Sequence, residues 1–114
     1  MALNETVLLV TKYGMGNGAE DLQLTLFGKL LQLLDQSGDP PPVICFYTEG
    51  VKLVTEGSPV LEQLSALEKK GTRLVVCSTC LNYYGLADKL EAGIAGGMAD
   101  ILEALARSEK VISL

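Results

Sequence analysis

Three short runs, Thr6-Val-Leu-Leu-Val-Thr11, Val43-Ile-Cys-Phe-Tyr47 and Thr72-Arg-Leu-Val-Val-Cys77, are almost continuously apolar and rich in β-branched side chains. A strand with the same polarity on both faces has to be covered on both faces. That is the condition of a parallel sheet sandwiched between helices. Helix-type segments separate the runs. From Ala19 to Gln36 the leucines and phenylalanine at 22, 26, 27, 30, 31, 33 and 34 predict a wide buried stripe. Glu20 and Asp21 fall in its first turn, where the helix dipole favours negative charge, and Gly38 suits its C-terminal cap. A second helix is expected to start at Ser58-Pro59, with Ser58 as N-cap and Pro59 at the first helical position. Its inward side is Val60, Leu61, Leu64 and Leu67, and Gly71 ends it.

Past Cys77 the pattern weakens. It still predicts a short helix over Ser78–Tyr84 closed by Gly85, a turn or two over Leu86–Glu91, and a brief fourth strand over Ala92–Ala95. A helix over Met98–Arg107 with Ile101, Leu102 and Leu105 inward and a final strand from Lys110 to Leu114 complete the chain. Five strands alternating with helices predict a single α/β/α domain over residues 1–114 with a mostly parallel five-stranded sheet. The order expected is flavodoxin-like, 2-1-3-4-5. A ligand would then sit at the carboxyl ends of the strands, at the switch between strands 1 and 3.

Composition removes several kinds of chemistry. Among 114 residues there is no histidine, so no Ser-His-Asp triad, Cys-His dyad or imidazole metal site can form. Fourteen acidic residues against nine basic ones give a net charge of −5. That argues against binding to nucleic acid or an anionic membrane surface. No apolar run approaches the ~20 residues of a membrane span. Three cysteines, an odd number, and a start that leads straight into a strand make an exported disulfide framework the poorer expectation. A reducing cytoplasm is expected instead. Two thiols at one site with no histidine predict no tight zinc binding, and nothing in the sequence implies a cofactor.

The most informative tetrapeptide is Cys77-Ser-Thr-Cys80. Cys77 ends a strand and Cys80 falls near a helix start, where free N–H groups and the dipole stabilise a thiolate. Two thiols spaced i, i+3 can also close a disulfide, and a buried cysteine can simply be a small hydrophobe. Cys45, between Ile44 and Phe46, reads as core. Gly14-Met-Gly-Asn-Gly18 could offer the N–H groups of Gly16 and Gly18 to an anion, but its spacing fits neither a dinucleotide fingerprint nor a P-loop. A tight turn passing close to strand 3 explains it more simply. Lys52, in Glu49-Gly-Val-Lys52, is a candidate cation beside the thiols, and Tyr84 of Tyr83-Tyr84 a candidate wall of their pocket.

The block from Gly50 to Leu86 resembles the DsrE-like domain of YedF-type proteins, which belong to the wider DsrE/YchN-like family. It contains Gly50-Val-Lys-Leu-Val-Thr-Glu-Gly-Ser58, Leu64-Ser-Ala-Leu-Glu-Lys-Lys-Gly71 and Cys77-Ser-Thr-Cys-Leu-Asn-Tyr-Tyr-Gly-Leu86. Gly16-x-Gly18 and Lys110-Val-Ile extend the likeness to nearly the whole chain. The resemblance implies the DsrE/YchN-like α/β fold and a homotrimer or homohexamer. It also implies a sulfurtransferase-like role in which a cysteine after strand 3 carries sulfane sulfur or selenium as a persulfide. Relay members carry that cysteine eight residues before a glycine, which maps onto Cys77 and Gly85. The YedF-type pattern also has a cysteine at the position of Cys80, so either thiol could be the carrier. YedF-type proteins usually have a TusA-like domain with a Cys-Pro motif. The residues here contain none, so a TusA-like partner carrier would be a separate protein. Two other readings remain open: a non-catalytic subunit of an oligomer, and a dithiol redox module.

Overall fold

The computed structural model describes residues 3–114. Five strands form one all-parallel sheet: β1 (Thr6–Val10), β2 (Val43–Phe46), β3 (Arg73–Cys77), β4 (Ile94–Gly96) and β5 (Lys110–Ser113). Four helices connect them: α1 (Glu20–Gln36), α2 (Leu61–Lys69), α3 (Ser78–Tyr83) and α4 (Met98–Arg107). A 3₁₀ segment, Thr48–Val54, follows β2. The predicted α/β class, strand number and parallel pairing hold. No helix among the described residues is long and apolar enough to cross a membrane.

The strand order is β4-β3-β2-β1-β5, not the flavodoxin-like order expected. Burial explains the difference. All three C-terminal residues of β2, Ile44, Cys45 and Phe46, are fully buried, so β2 needs a neighbour on each side and cannot be an edge. β4 is three residues long and exposed at Ile94, which suits an edge and not the interior position the flavodoxin order would give it. The chain therefore steps from β1 through β4 in one direction and returns to place β5 beside β1. Right-handed crossovers put α1 and α2 on one face, where they touch, and α4 on the other, against β3 and β4.

The core is built from Val7 to Val10, Ile44 to Phe46 and Leu74 to Cys77, with Phe27, Leu31 and Leu34 of α1, Leu64 and Leu67 of α2, and Ile101 and Ala104 of α4. Two predicted stripes are too wide. Leu22, Leu26 and Leu33 of α1 and Leu102 of α4 are exposed, because a helix laid on a sheet covers only the strip facing it. The second helix also starts later than predicted. Val60 is its N-cap, and residues 58–59 form the turn before it, although the Ser58 hydroxyl still accepts the Val60 N–H at 3.2 Å.

Two glycines hold backbones in contact. A Cβ at Gly50 would collide with the carbonyl of Val10, the same oxygen that accepts the Tyr47 N–H at 3.1 Å. The 3₁₀ segment can thus press onto the end of β1 only because residue 50 has no side chain. Gly14, with φ of 120°, packs against the backbone of Gln23, where a Cβ would come within 2.5 Å of the carbonyl carbon. The glycine loop therefore closes onto α1 and not onto strand 3.

Gly50→Ala should lower unfolding free energy by about 2–3 kcal/mol, since overpacking against backbone leaves nothing free to move. Gly28 lies inside α1, and its Cβ would meet nothing nearer than 4.0 Å. Gly28→Ala should raise stability by about 0.5–1 kcal/mol through helix propensity. Urea unfolding of the two variants checks both signs.

Candidate functional site

The carboxyl ends of three neighbouring strands meet at one place. Val10 leads into Thr11 and Tyr13, Phe46 into Tyr47 and the 3₁₀ segment, and Cys77 into α3. The site lies over the end of β2, between strands 1 and 3, which are not themselves adjacent. The site is therefore not at the expected switch between strands 1 and 3, because β1, β2 and β3 follow one another as neighbours.

Cys77 is the N-cap of α3 and Cys80 its third residue. Those two positions face each other across the first turn of a helix, as in a capping box, which sets the two thiols near one another. Their exposures differ. Cys77 is buried, at 2%, whereas Cys80 is half-buried and reachable from outside. The Cys80 sulfur accepts the backbone N–H of Thr48 at 3.1 Å. Burial pushes the Cys80 thiol above its ordinary range, the Thr48 N–H opposes that shift, and the Cys77 thiol adds to it. The expected lowering by a helix N-terminus does not prevail. α3 has only six residues, and the sulfur is partly withdrawn from water. Cys45 is fully buried, and burial pushes its thiol up to about 11.

Thr48 is the only residue other than glycine with positive φ among the described residues, at 49°. For a β-branched residue that conformation costs of order 1–2 kcal/mol. Its hydroxyl lies 2.7 Å from the carbonyls of both Thr11 and Tyr47. Nothing in the sequence marked this residue. A threonine in a polar loop looks ordinary until its φ is known.

A charged cluster borders the thiols. Lys52 Nζ lies 2.6 Å from Glu49 Oε2 and 4.6 Å from the centre of the Tyr84 ring. The Tyr84 hydroxyl donates to Glu49 Oε1 at 3.1 Å. The Lys52 ammonium holds the Glu49 carboxyl below its ordinary range, and Glu49 in turn raises Lys52. Burial, reinforced by the hydrogen bond to Glu49, raises Tyr84. A cavity of about 330 Å³ opens beside this cluster, lined in part by Tyr13, Lys52, Thr55, Ser58 and Tyr84.

The structure thus brings Cys77, Cys80, Lys52 and Tyr84 together. Gly16 and Gly18 lie elsewhere, on an exposed loop outside the cavity lining. The Gly18 N–H is taken by Gln23 Oε1 at 3.0 Å, and the Gly16 carbonyl accepts from Lys12 Nζ at 3.0 Å. Sequence reasoning missed Thr48 and Tyr13, and gave Glu49 no role. Its spacing of three from Lys52, within reach on one helical turn, was the available signal. Among the described residues, no grouping of Cys, Asp and Glu side chains could hold a metal ion.

Native alkylation should follow exposure: Cys80 first, Cys77 more slowly, and Cys45 only on unfolding, with mass mapping as the readout. The pH dependence of stability has a worked sign. The folded pKa of Cys45 is raised from 9.0 to about 11, so the folded state binds the proton more tightly. That stability is intact below about 9 and is lost as pH rises toward 11. Cys45→Ala should flatten the alkaline decline by an amount of order 2 kcal/mol.

A model of the DsrE/DsrF-like family matches residues 5–114. The fold resembles the YchN protein from E. coli, with TM-score 0.73 and 18% identity, covering 96% of this chain and 99% of that one. It also resembles the Methanobacterium thermoautotrophicum protein MTH1491, of unknown function, with TM-score 0.69, 20% identity and coverages of 97% and 99%. The Bacteroides thetaiotaomicron protein BT1422, also of unknown function, gives TM-score 0.69, 18% identity and coverages of 100% and 98%. No protein of curated function matches the sequence.

Proposed function

Because the chain belongs to the DsrE/DsrF-like family, we propose that it is a persulfide carrier with Cys80 as the carrying thiol. The observation that carries the choice is that Cys80 is the accessible member of the pair and already accepts a backbone N–H. Eight-residue spacing to Gly85 favours Cys77 by resemblance, but that residue is only 2% exposed, which leaves a donor little access. Within the family, the block from Gly50 to Leu86 supports a place nearest the DsrE-like domain of YedF-type proteins. Selenium is the alternative cargo on that resemblance.

The transfer is an exchange. The Cys80 thiolate attacks the outer sulfur of a donor persulfide, R–S–SH. The Cys80–S bond forms, the donor S–S bond breaks, and R–S⁻ leaves with the electron pair. Delivery is the same step with an acceptor thiolate attacking and Cys80 leaving. No base beyond solvent is needed once the thiol is ionised. Lys52 supplies a cation close by, although its pairing with Glu49 leaves the cluster nearly neutral. The partners on this reading are a sulfane-sulfur donor and an acceptor thiol protein, such as a separate TusA-like carrier, in the cytoplasm.

A second reading has its own observation. N-cap and third-residue positions set the two thiols on one helical turn, which also suits a dithiol that closes to a disulfide. Mass spectrometry after incubation with a sulfane donor separates the readings. A carrier gains about 32 Da, the mass of one sulfur atom, and a redox module loses about 2 Da. An inert subunit does not change. We expect the gain on wild type and Cys77→Ser, and its loss on Cys80→Ser. A gain that survives in Cys80→Ser and vanishes in Cys77→Ser would move the carrier to Cys77.

We further propose a homotrimer or homohexamer. Tyr83 at 83% exposure, with Ile94, Met98 and Leu102, leaves apolar surface uncovered, on a chain whose mean hydropathy is +0.30. Light scattering should give a mass of three or six chains, falling in an Ile94→Asp, Leu102→Asp double variant. A wild-type mass of one chain would refute the assembly.

A further inference from the structure

Thr48 touches the carboxyl ends of all three central strands. It follows β2 after Tyr47 alone, its hydroxyl lies 2.7 Å from the Thr11 carbonyl just past β1, and its N–H reaches the Cys80 sulfur, in the helix after β3, at 3.1 Å. The direction of that amide is set by the extended Tyr47 before it, and the left-handed φ of 49° turns the chain that follows into the 3₁₀ segment. Tyr47 is extended and sends its own N–H to Val10 of β1, so by the alternation of a strand the next amide points to the β3 side, where Cys80 lies. Two constraints hold the turn in place. Gly50 seats the following backbone on Val10, and the Thr48 hydroxyl bonds across to Thr11.

We propose that Thr48 is a positioning residue for Cys80, its hydroxyl anchoring on Thr11 the residue whose N–H meets the Cys80 sulfur. The inference rests on the carrier reading for its purpose but not for its geometry. In sulfur transfer Cys80 is the attacking thiolate on loading and the leaving thiolate on delivery. Negative charge builds on the same atom in both steps, and a fixed donor is worth most there. Without histidine, and with Lys52 already paired to Glu49, the Thr48 amide is the donor in hand. Glycine could adopt this φ without strain, but it would leave the amide free to swing. Threonine accepts the strain in exchange for a hydroxyl that fixes the direction.

The titratable groups close to the Cys80 sulfur are Cys77 and Tyr84, and Glu49 and Lys52 of the 3₁₀ segment lie against Tyr84, with Glu20 near Lys52. All are unchanged in the variants that test the proposal. Thr48→Ser keeps the hydroxyl, Thr48→Val keeps the shape without it, and Thr48→Gly removes both brace and strain. Iodoacetamide labelling of Cys80, mapped by peptide mass across pH 6–11, reads the ionisation midpoint. Urea unfolding shows that each variant is folded.

Wild type and Thr48→Ser should share a midpoint. Thr48→Val and Thr48→Gly should titrate roughly half a unit to one unit higher, which is a roughly threefold to tenfold slower reaction near neutrality for one weakened hydrogen bond. A purely structural role would lower the urea midpoint of these variants and leave the Cys80 profile unmoved. That result in the folded Val and Gly variants overturns the proposal. Persulfide loading of the same proteins separates the two readings. If wild type takes up no sulfur but the midpoint shifts as expected, the positioning role stands and the carrier reading falls. If loading succeeds with equal rates and midpoints in all four proteins, the carrier stands and Thr48 has no part in it.

Discussion

The contact of Gly50 with the carbonyl of Val10 sets the geometry of the whole upper face of this molecule. Strands β1 and β2 are parallel neighbours, so their ends arrive together and the chain leaving β2 has to clear the end of β1. With no side chain at position 50 it does not clear it but lies on it. The 3₁₀ segment then buries Val51, Leu53 and Val54 while leaving Glu49 and Lys52 at the rim. From that seat Lys52 reaches the Tyr84 ring, Tyr84 reaches Glu49, and Thr48 reaches Cys80. Each of these contacts depends on a backbone height that a single methyl group would change.

The electrostatics of the site are restrained for one that is proposed to run on a thiolate. The nearest cation is neutralised by a carboxylate at 2.6 Å, and both charges sit where water screens them. Burial favours the neutral thiol on Cys80. What remains is a directed backbone amide, whose strength comes from being fixed and not from charge. A thiol of that kind is quiet toward adventitious oxidants, because little of it is thiolate near neutral pH. That suits a protein that holds reactive sulfur only between two encounters.

Much of the fold was legible because continuous apolar strands admit few solutions. Val7 to Val10, Ile44 to Phe46 and Leu74 to Cys77 had to be covered on both faces, and parallel pairing through helical crossovers followed. Strand order was not legible. Periodicity reports how much of a strand is buried, not which strand buries it, and the edge character of β4 emerges only when its three residues are seen unpartnered on one side. The width of the α1 stripe misled for a related reason. Leu22, Leu26 and Leu33 are apolar but outside the strip that the sheet can cover, and a single chain does not say what else would cover them.

At the site, residue types were readable and roles were not. The two thiols, Lys52 and Tyr84 stood out by chemistry and spacing, and the structure gathers them. Gly16 and Gly18 looked alike on paper, but their loop turns onto Gln23. Thr48 carried no mark at all, since a left-handed φ is a property of the path between fixed strand ends and not of threonine. The sequence by itself determined the parallel α/β layering, through side chains that water will not accept on either face, and excluded imidazole chemistry, through the absence of histidine. Tertiary structure alone decided the strand order, which thiol is reachable, and which amide faces it. Those depend on distances between segments far apart in the chain, and such distances are settled only when the backbones pack.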